Sequence, residues 1–147
     1  NVLNTFNELL KWKVIPVVNE NDTVAVDEMD HQTSFGDNDW LSAVVASGID
    51  ADLLIVLSDI DGLFDKNPKK YADANLISEV TEINEKITGV AGGTGSRFGT
   101  GGMATKIKAM DRMINEGRKA VLANGKRPSI IFEILNGKQI GTLFHKK

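Results

Sequence analysis

The 147 residues contain no cysteine, which excludes disulfides, thiolate metal sites and a cysteine nucleophile together. Only two histidines occur, His31 and His145. Neither has partners at metal-ligand spacing, which leaves little for a zinc centre, so any metal must sit on oxygen, and both read as solvated surface residues. No apolar run reaches the roughly 20 residues that span a bilayer. The opening Asn1-Val2-Leu3-Asn4 has neither the basic nor the apolar part of a secretory signal. The expectation is a cytoplasmic protein that does not enter a membrane. Proline is scarce, with three residues, and the 14 glycines follow no collagen-like period. Strong basic character is missing too, the net charge being -3. That charge is unevenly placed. Residues 1–102 hold 17 acidic and 7 basic side chains, whereas 103–147 hold 3 acidic and 10 basic. The basic residues are scattered among apolar ones with no aromatic platform, which argues against nucleic acid and for solvated faces with a phosphate-binding patch.

What is present is an ordinary core, with 41% hydrophobic and 25% charged residues. There is no internal repeat or linker. Val2, Leu3, Phe6, Leu9 and Leu10 recur at helical spacing, and Val14 to Val18 reads as a strand buried on both faces. A long polar loop to Gly36 precedes a helix capped by Asp37 or Asn38 and running to Gly48. Asp52 to Ser58 is a second apolar strand. Leu63 to Ile87 is weakly patterned, with a loop at Asn67-Pro68 and a short helix around Glu82 to Ile87. Seven glycines between Gly89 and Gly102 open onto a helix from Met103 to Glu116 that stops at Gly117. Lys119 to Ala123 reads as a third strand, Ser129 to Leu135 as a helix, and Ile140 to Phe144 as a closing strand. Uniformly apolar strands alternating with helices predict a three-layer α/β/α arrangement with a mainly parallel central sheet.

In such sheets ligands bind beyond the carboxyl ends of the strands, where the polar motifs cluster. Asn19-Glu-Asn-Asp22 follows the first strand, Ser58-Asp-Ile-Asp61 the second and Asn124-Gly-Lys126 the third. The glycine-rich segment ending in Gly99-Thr-Gly-Gly-Met-Ala-Thr-Lys106 fits neither the Walker A nor the dinucleotide fingerprint. It is a different phosphate loop or merely a flexible one. At about 100° per residue, Lys106 falls within the stripe of Met103, Ile107, Met110, Met113 and Ile114. A lysine there either snorkels to water or meets an anion. Gly36-Asp-Asn-Asp39 supplies more short polar groups than one helix cap requires, so a second role remains open. Asp59-Ile-Asp-Gly62 is out of register with a calcium loop.

Five ordered motifs run the length of the chain: Pro16-Val-Val-Asn-Glu-Asn-Asp22, Gly36-Asp-Asn-Asp-Trp-Leu-Ser42, Leu57-Ser-Asp-Ile-Asp-Gly-Leu63, Gly99 to Lys106, and Gly141-Thr-Leu-Phe144. Together they resemble the amino acid kinase family, and within it the members that act on free glutamate. The resemblance implies ATP-dependent phosphorylation of the γ-carboxylate of L-glutamate to glutamyl 5-phosphate, the first step of proline synthesis, with Mg²⁺. By position it implies glutamate contacts from Asp22 and Asn38, with Asn19 near the amino group. Asp39 matches the aspartate that orients catalytic lysines. Ser58 and Asp59 match nucleotide contacts, as does the loop of Thr100, Gly101, Gly102, Met103, Ala104, Thr105 and Lys106, with Lys106 stabilising the transferred phosphoryl group. It also implies that residues 1–147 are the latter part of one kinase domain. The family's first strand, its glycine turn with a second lysine, and the PUA domain of some members are missing from it. The stretch alone is then expected to be inactive, and the intact enzyme a homo-oligomer. The alternatives are a same-fold enzyme acting on another substrate, such as uridylate or acetylglutamate, and a non-catalytic nucleotide or amino-acid sensor. Lys106 and Asp39 argue against the sensor.

Overall fold

The computed structural model describes residues 2–19, 38–92 and 102–147. The elements follow in the order α1 (Val2–Lys11), α2 (Asn38–Gly48), β1 (Leu53–Ser58), β2 (Glu79–Val80), α3 (Glu85–Val90), α4 (Gly102–Asn115), β3 (Lys119–Asn124), α5 (Ile130–Leu135) and β4 (Thr142–Phe144). The sheet order is β1-β3-β4-β2. β1 lies parallel to β3 and β2 parallel to β4, whereas β3 and β4 are antiparallel. The sheet is therefore mixed, with parallel pairing at both flanks.

Strand periodicity sorts the core into two faces. Leu54 and Val56 of β1 join Ala120 and Leu122 of β3 beneath α2 and α4, which contribute Ala43, Ala46, Ile107, Met110, Met113 and Ile114. Their alternates Leu53, Ile55 and Leu57 pack with Val121 and Ala123 against Ile130 and Ile134 of α5 on the other side. This is the three-layer arrangement expected from the apolar runs. The apolar stripe of α4 is buried as its spacing requires, with Met110 and Met113 fully enclosed. The helix ends where Gly117 takes φ +74°. There the Arg118 amide donates to Met113 O at 2.8 Å and the Gly117 amide to Ile114 O at 2.9 Å, a Schellman closure.

Four expectations are corrected. Val14 to Val18 forms no strand: Ile15 is 86% and Val17 91% exposed. A β-branched run becomes a strand only by pairing, and no described strand pairs with it. The short helix expected around 82–87 starts later, at Glu85, because the Asn84 side chain accepts the Ile87 amide at 3.1 Å and caps it there. β4 begins at Thr142 rather than Ile140, since Gly141 turns the chain with φ +68°. His145 is not a solvated residue; its side chain is 22% exposed and its Nε2 meets the Glu79 carboxylate. Among the described residues no helix is long and apolar enough to cross a membrane.

Candidate active site

The carboxyl ends of β1 and β3 lie side by side, with Ser58 opposite Asn124 in the ladder. Past that register the polar residues are tied to one another. The Gly125 amide donates to Ser58 O at 2.8 Å, the Asn124 side-chain amide to Asp61 at 2.7 Å, and the Ser58 hydroxyl to Asp59 at 3.2 Å. Two parallel strands thus present a fixed rim of hydroxyl, amide and carboxylate groups.

The start of α4 faces this rim. Lys106, on the apolar side of that helix, is 16% exposed and forms an ion pair at 2.8 Å with Asp39, which is 17% exposed. The Thr105 hydroxyl donates to the same Asp39 Oδ2 at 3.2 Å. Asp39 stands in the first turn of α2, where the helix dipole favours a carboxylate. The packing of α2 on α4 brings these groups together across 67 residues of chain. A lysine so enclosed is aimed by its carboxylate, and its remaining hydrogens are available to an anion.

Lys106 lines a cavity of about 520 Å³ together with Ser58, Asp59, Gly62, Gly102 and Met103, within the volume range of small-molecule sites. The opposite wall is the segment 64–71, including Phe64, Lys66, Asn67 and Tyr71. Asn67 makes the turn, its Oδ1 accepting the Lys69 amide at 2.8 Å. Its side-chain nitrogen is buried with no partner among the described residues. Lys66 pairs with Asp73 at 2.6 Å and sits 5.8 Å above the Tyr71 ring. Asp65 accepts the Asn75 backbone amide at 2.9 Å and the Asn75 side-chain amide at 3.2 Å. These bonds, the backbone one first, hold its carboxyl below the usual aspartate value.

The family model for the amino acid kinase family matches residues 1–124. The chain belongs to the amino acid kinase family. It is 99% identical over 147 residues to a glutamate 5-kinase of Ligilactobacillus salivarius, an alignment covering all of this chain and 55% of that protein. It is 60% identical over 146 residues to a glutamate 5-kinase of Enterococcus faecalis, covering 99% of this chain and 54% of that one. The chain thus spans about half the length of these curated relatives. Two solved structures share its fold. One is carbamate kinase from Giardia lamblia bound to AMP-PNP, with TM-score 0.59 and 21% identity over 78% of this chain and 37% of that one. The other is UMP kinase from Bacillus anthracis, with TM-score 0.55 and 16% identity over 91% of this chain and 53% of that one.

In this amino acid kinase chain the structure gathers Ser58, Asp59, Gly102, Met103 and Lys106 on one cavity, with Asp39 and Thr105 bonded behind them. Ala104 is exposed on α4, and Asn38 is exposed at the start of α2; neither lines the cavity. Asn19, also exposed, is not on it. Asp22, Thr100 and Gly101 lie outside the described residues. The wall at 64–71 was missed by sequence reasoning. Its one signal was the Asn67-Pro68 turn between lysines, and nothing in that local pattern says which side of the sheet it reaches.

Proposed function

We propose that the cavity binds ATP and that the chain carries the nucleotide side of a kinase transferring the γ-phosphoryl group to the γ-carboxylate of L-glutamate, the entry to proline synthesis. The observation that carries this reading is the enclosed Lys106–Asp39 pair opening onto the same cavity as the strand-end Ser58 and Asp59. Kinship with proteins named glutamate 5-kinase supports the choice of acceptor.

The fit to a nucleotide is chemical. Lys106 and the amino end of α4 suit phosphate, the Phe64 and Tyr71 wall suits a flat base, and the unpartnered Asn67 amide suits a base or ribose acceptor. Among the described residues no three His, Asp or Glu form an ion cage. When bound, Mg²⁺ would supply charge neutralisation at the nucleotide's phosphates. Among the described residues, Asp59 and Asp65 are the carboxylates on the cavity lining that would meet it.

The acceptor carboxylate is ionised near neutral pH, so no general base is needed. One of its oxygens bonds to the γ-phosphorus, the bond from that phosphorus to the bridging oxygen breaks, and ADP leaves with the electron pair. No proton moves. Catalysis reduces to alignment and charge neutralisation. Lys106 supplies the positive charge, and Asp39 holds it in place. Asp22 and Asn38, with Asn19, hold glutamate in this reading.

In the full-length enzyme carrying this sequence, Lys106→Ala is expected to lower glutamate-dependent ATP turnover by about 100-fold or more with little change in the glutamate KM. Unchanged turnover removes Lys106 from the mechanism. Asp22→Ala is expected chiefly to raise the glutamate KM, and an effect confined to ATP would refute its assignment.

A further inference from the structure

The motif Gly141-Thr-Leu-Phe144 has no part in the chemistry above, yet it lies directly beneath the cavity wall. Gly141 has φ +68°, and a Cβ there would stand 2.1 Å from Leu122 O. Only glycine lets β4 come this close to β3. That approach sets Thr142 opposite Leu122 in the antiparallel register, with its side chain fully buried.

Thr142 Oγ1 accepts the Leu63 amide at 2.8 Å and donates to Ile77 O at 2.6 Å. The Ile77 amide in turn donates to Leu63 O at 2.8 Å. The hydroxyl therefore closes the base of the loop between Leu63 and Ile77. Above that base the loop is held by the Phe64–Leu76 bridge and by the Asp65 amide donating to Asn75 O at 3.0 Å. Its tip is the wall that carries Phe64, Asn67 and Tyr71 to the cavity. Gly62 presses on the same hydroxyl from the cavity side, since a Cβ there would lie 2.7 Å from Thr142 Oγ1.

We infer that Thr142 is a positioning residue for the nucleotide cavity: its buried hydroxyl, bridging Leu63 and Ile77, holds the 63–77 loop at the height where its tip forms the outer wall. The inference rests on the reading of that cavity as the ATP site. A hydroxyl serves because it donates and accepts at once. Valine has nearly the same shape but does neither, leaving Leu63 N–H and Ile77 C=O buried without partners unless the loop shifts.

The test compares Thr142→Val, Thr142→Ser and Thr142→Ala in the full-length enzyme, reading kcat, both KM values and amide hydrogen exchange. Thr142→Val is expected to raise the ATP KM about tenfold, the size of one lost buried hydrogen bond. The glutamate KM and kcat at saturating ATP should stay within about twofold, and faster exchange should be confined to 63–77. Thr142→Ser should restore both. An unchanged ATP KM with unchanged exchange in 63–77 overturns the inference. So does a general loss in which exchange rises throughout and serine fails to rescue. If the valine variant does not fold, Thr142→Ala removes the same two hydrogen bonds without adding a methyl beside them and carries the same expectations. Failure of the unmodified enzyme to bind Mg-ATP would refute the ATP reading itself. Thr142 is then judged by exchange alone: faster exchange in 63–77 upholds its hold on the loop, and unchanged exchange overturns it.

Discussion

Lys106 and Asp39 each keep only about a sixth of their side-chain surface in water. A charge so enclosed is tolerated because its partner stands at 2.8 Å, and removing one partner leaves the other costly. Asp39→Asn keeps the shape and one acceptor but removes the compensating charge. We expect turnover to fall about 10- to 100-fold and stability by about 1–2 kcal/mol, read by steady-state kinetics and urea titration. A loss of stability with unimpaired turnover would leave Asp39 as scaffolding only. The place of Lys106 on a burying face was legible from the helical period alone. Its partner was not, because the two stand 67 positions apart and no local spacing encodes which helices pack. The resemblance, rather than spacing, pointed to Asp39.

The 63–77 loop behaves as an element in its own right although it contains almost no regular structure. Asp65 ties its two arms through Asn75, and that bonding favours the charged carboxylate. Its folded pKa therefore lies below the ordinary 3.8. The stabilisation is fully present above that unfolded value and is lost as pH falls through the folded one. Other carboxylates titrate in the same range, so the useful quantity is the difference between the wild type and Asp65→Asn. That difference in loop exchange or melting temperature is expected to be constant at neutral pH and to shrink below about 3.8. A difference independent of pH down to strongly acid solution would show that the charge of Asp65 plays no part. α1, α2, α4 and α5 and the strands β1 and β3 were legible here, since each carries an apolar stripe or a continuous apolar run. β2, two residues long, and the loop wall had no such period; both exist through β4.

Across the whole molecule, the described sheet is well covered while Trp12, Ile15 and Val17 are left largely in water. Large apolar side chains exposed close together in the chain favour self-association. Ile15→Lys with Val17→Lys is expected to reduce concentration-dependent light scattering of the 147-residue chain without changing its melting temperature. Equal scattering would place the association elsewhere. This run also marks where sequence reasoning reached its limit. By itself the sequence determined α1, α2, α4, α5, β1 and β3, which face of α4 is buried, and that polar groups collect at the ends of β1 and β3. Those properties follow from local period and from the cost of burying a charge. Only the tertiary structure decided that Val14 to Val18 joins no strand among the described residues, that β4 runs against β3, and that Thr142 reaches Leu63 across 79 residues. Pairing and register are chosen by contacts between distant segments, and a single local pattern is compatible with many of them.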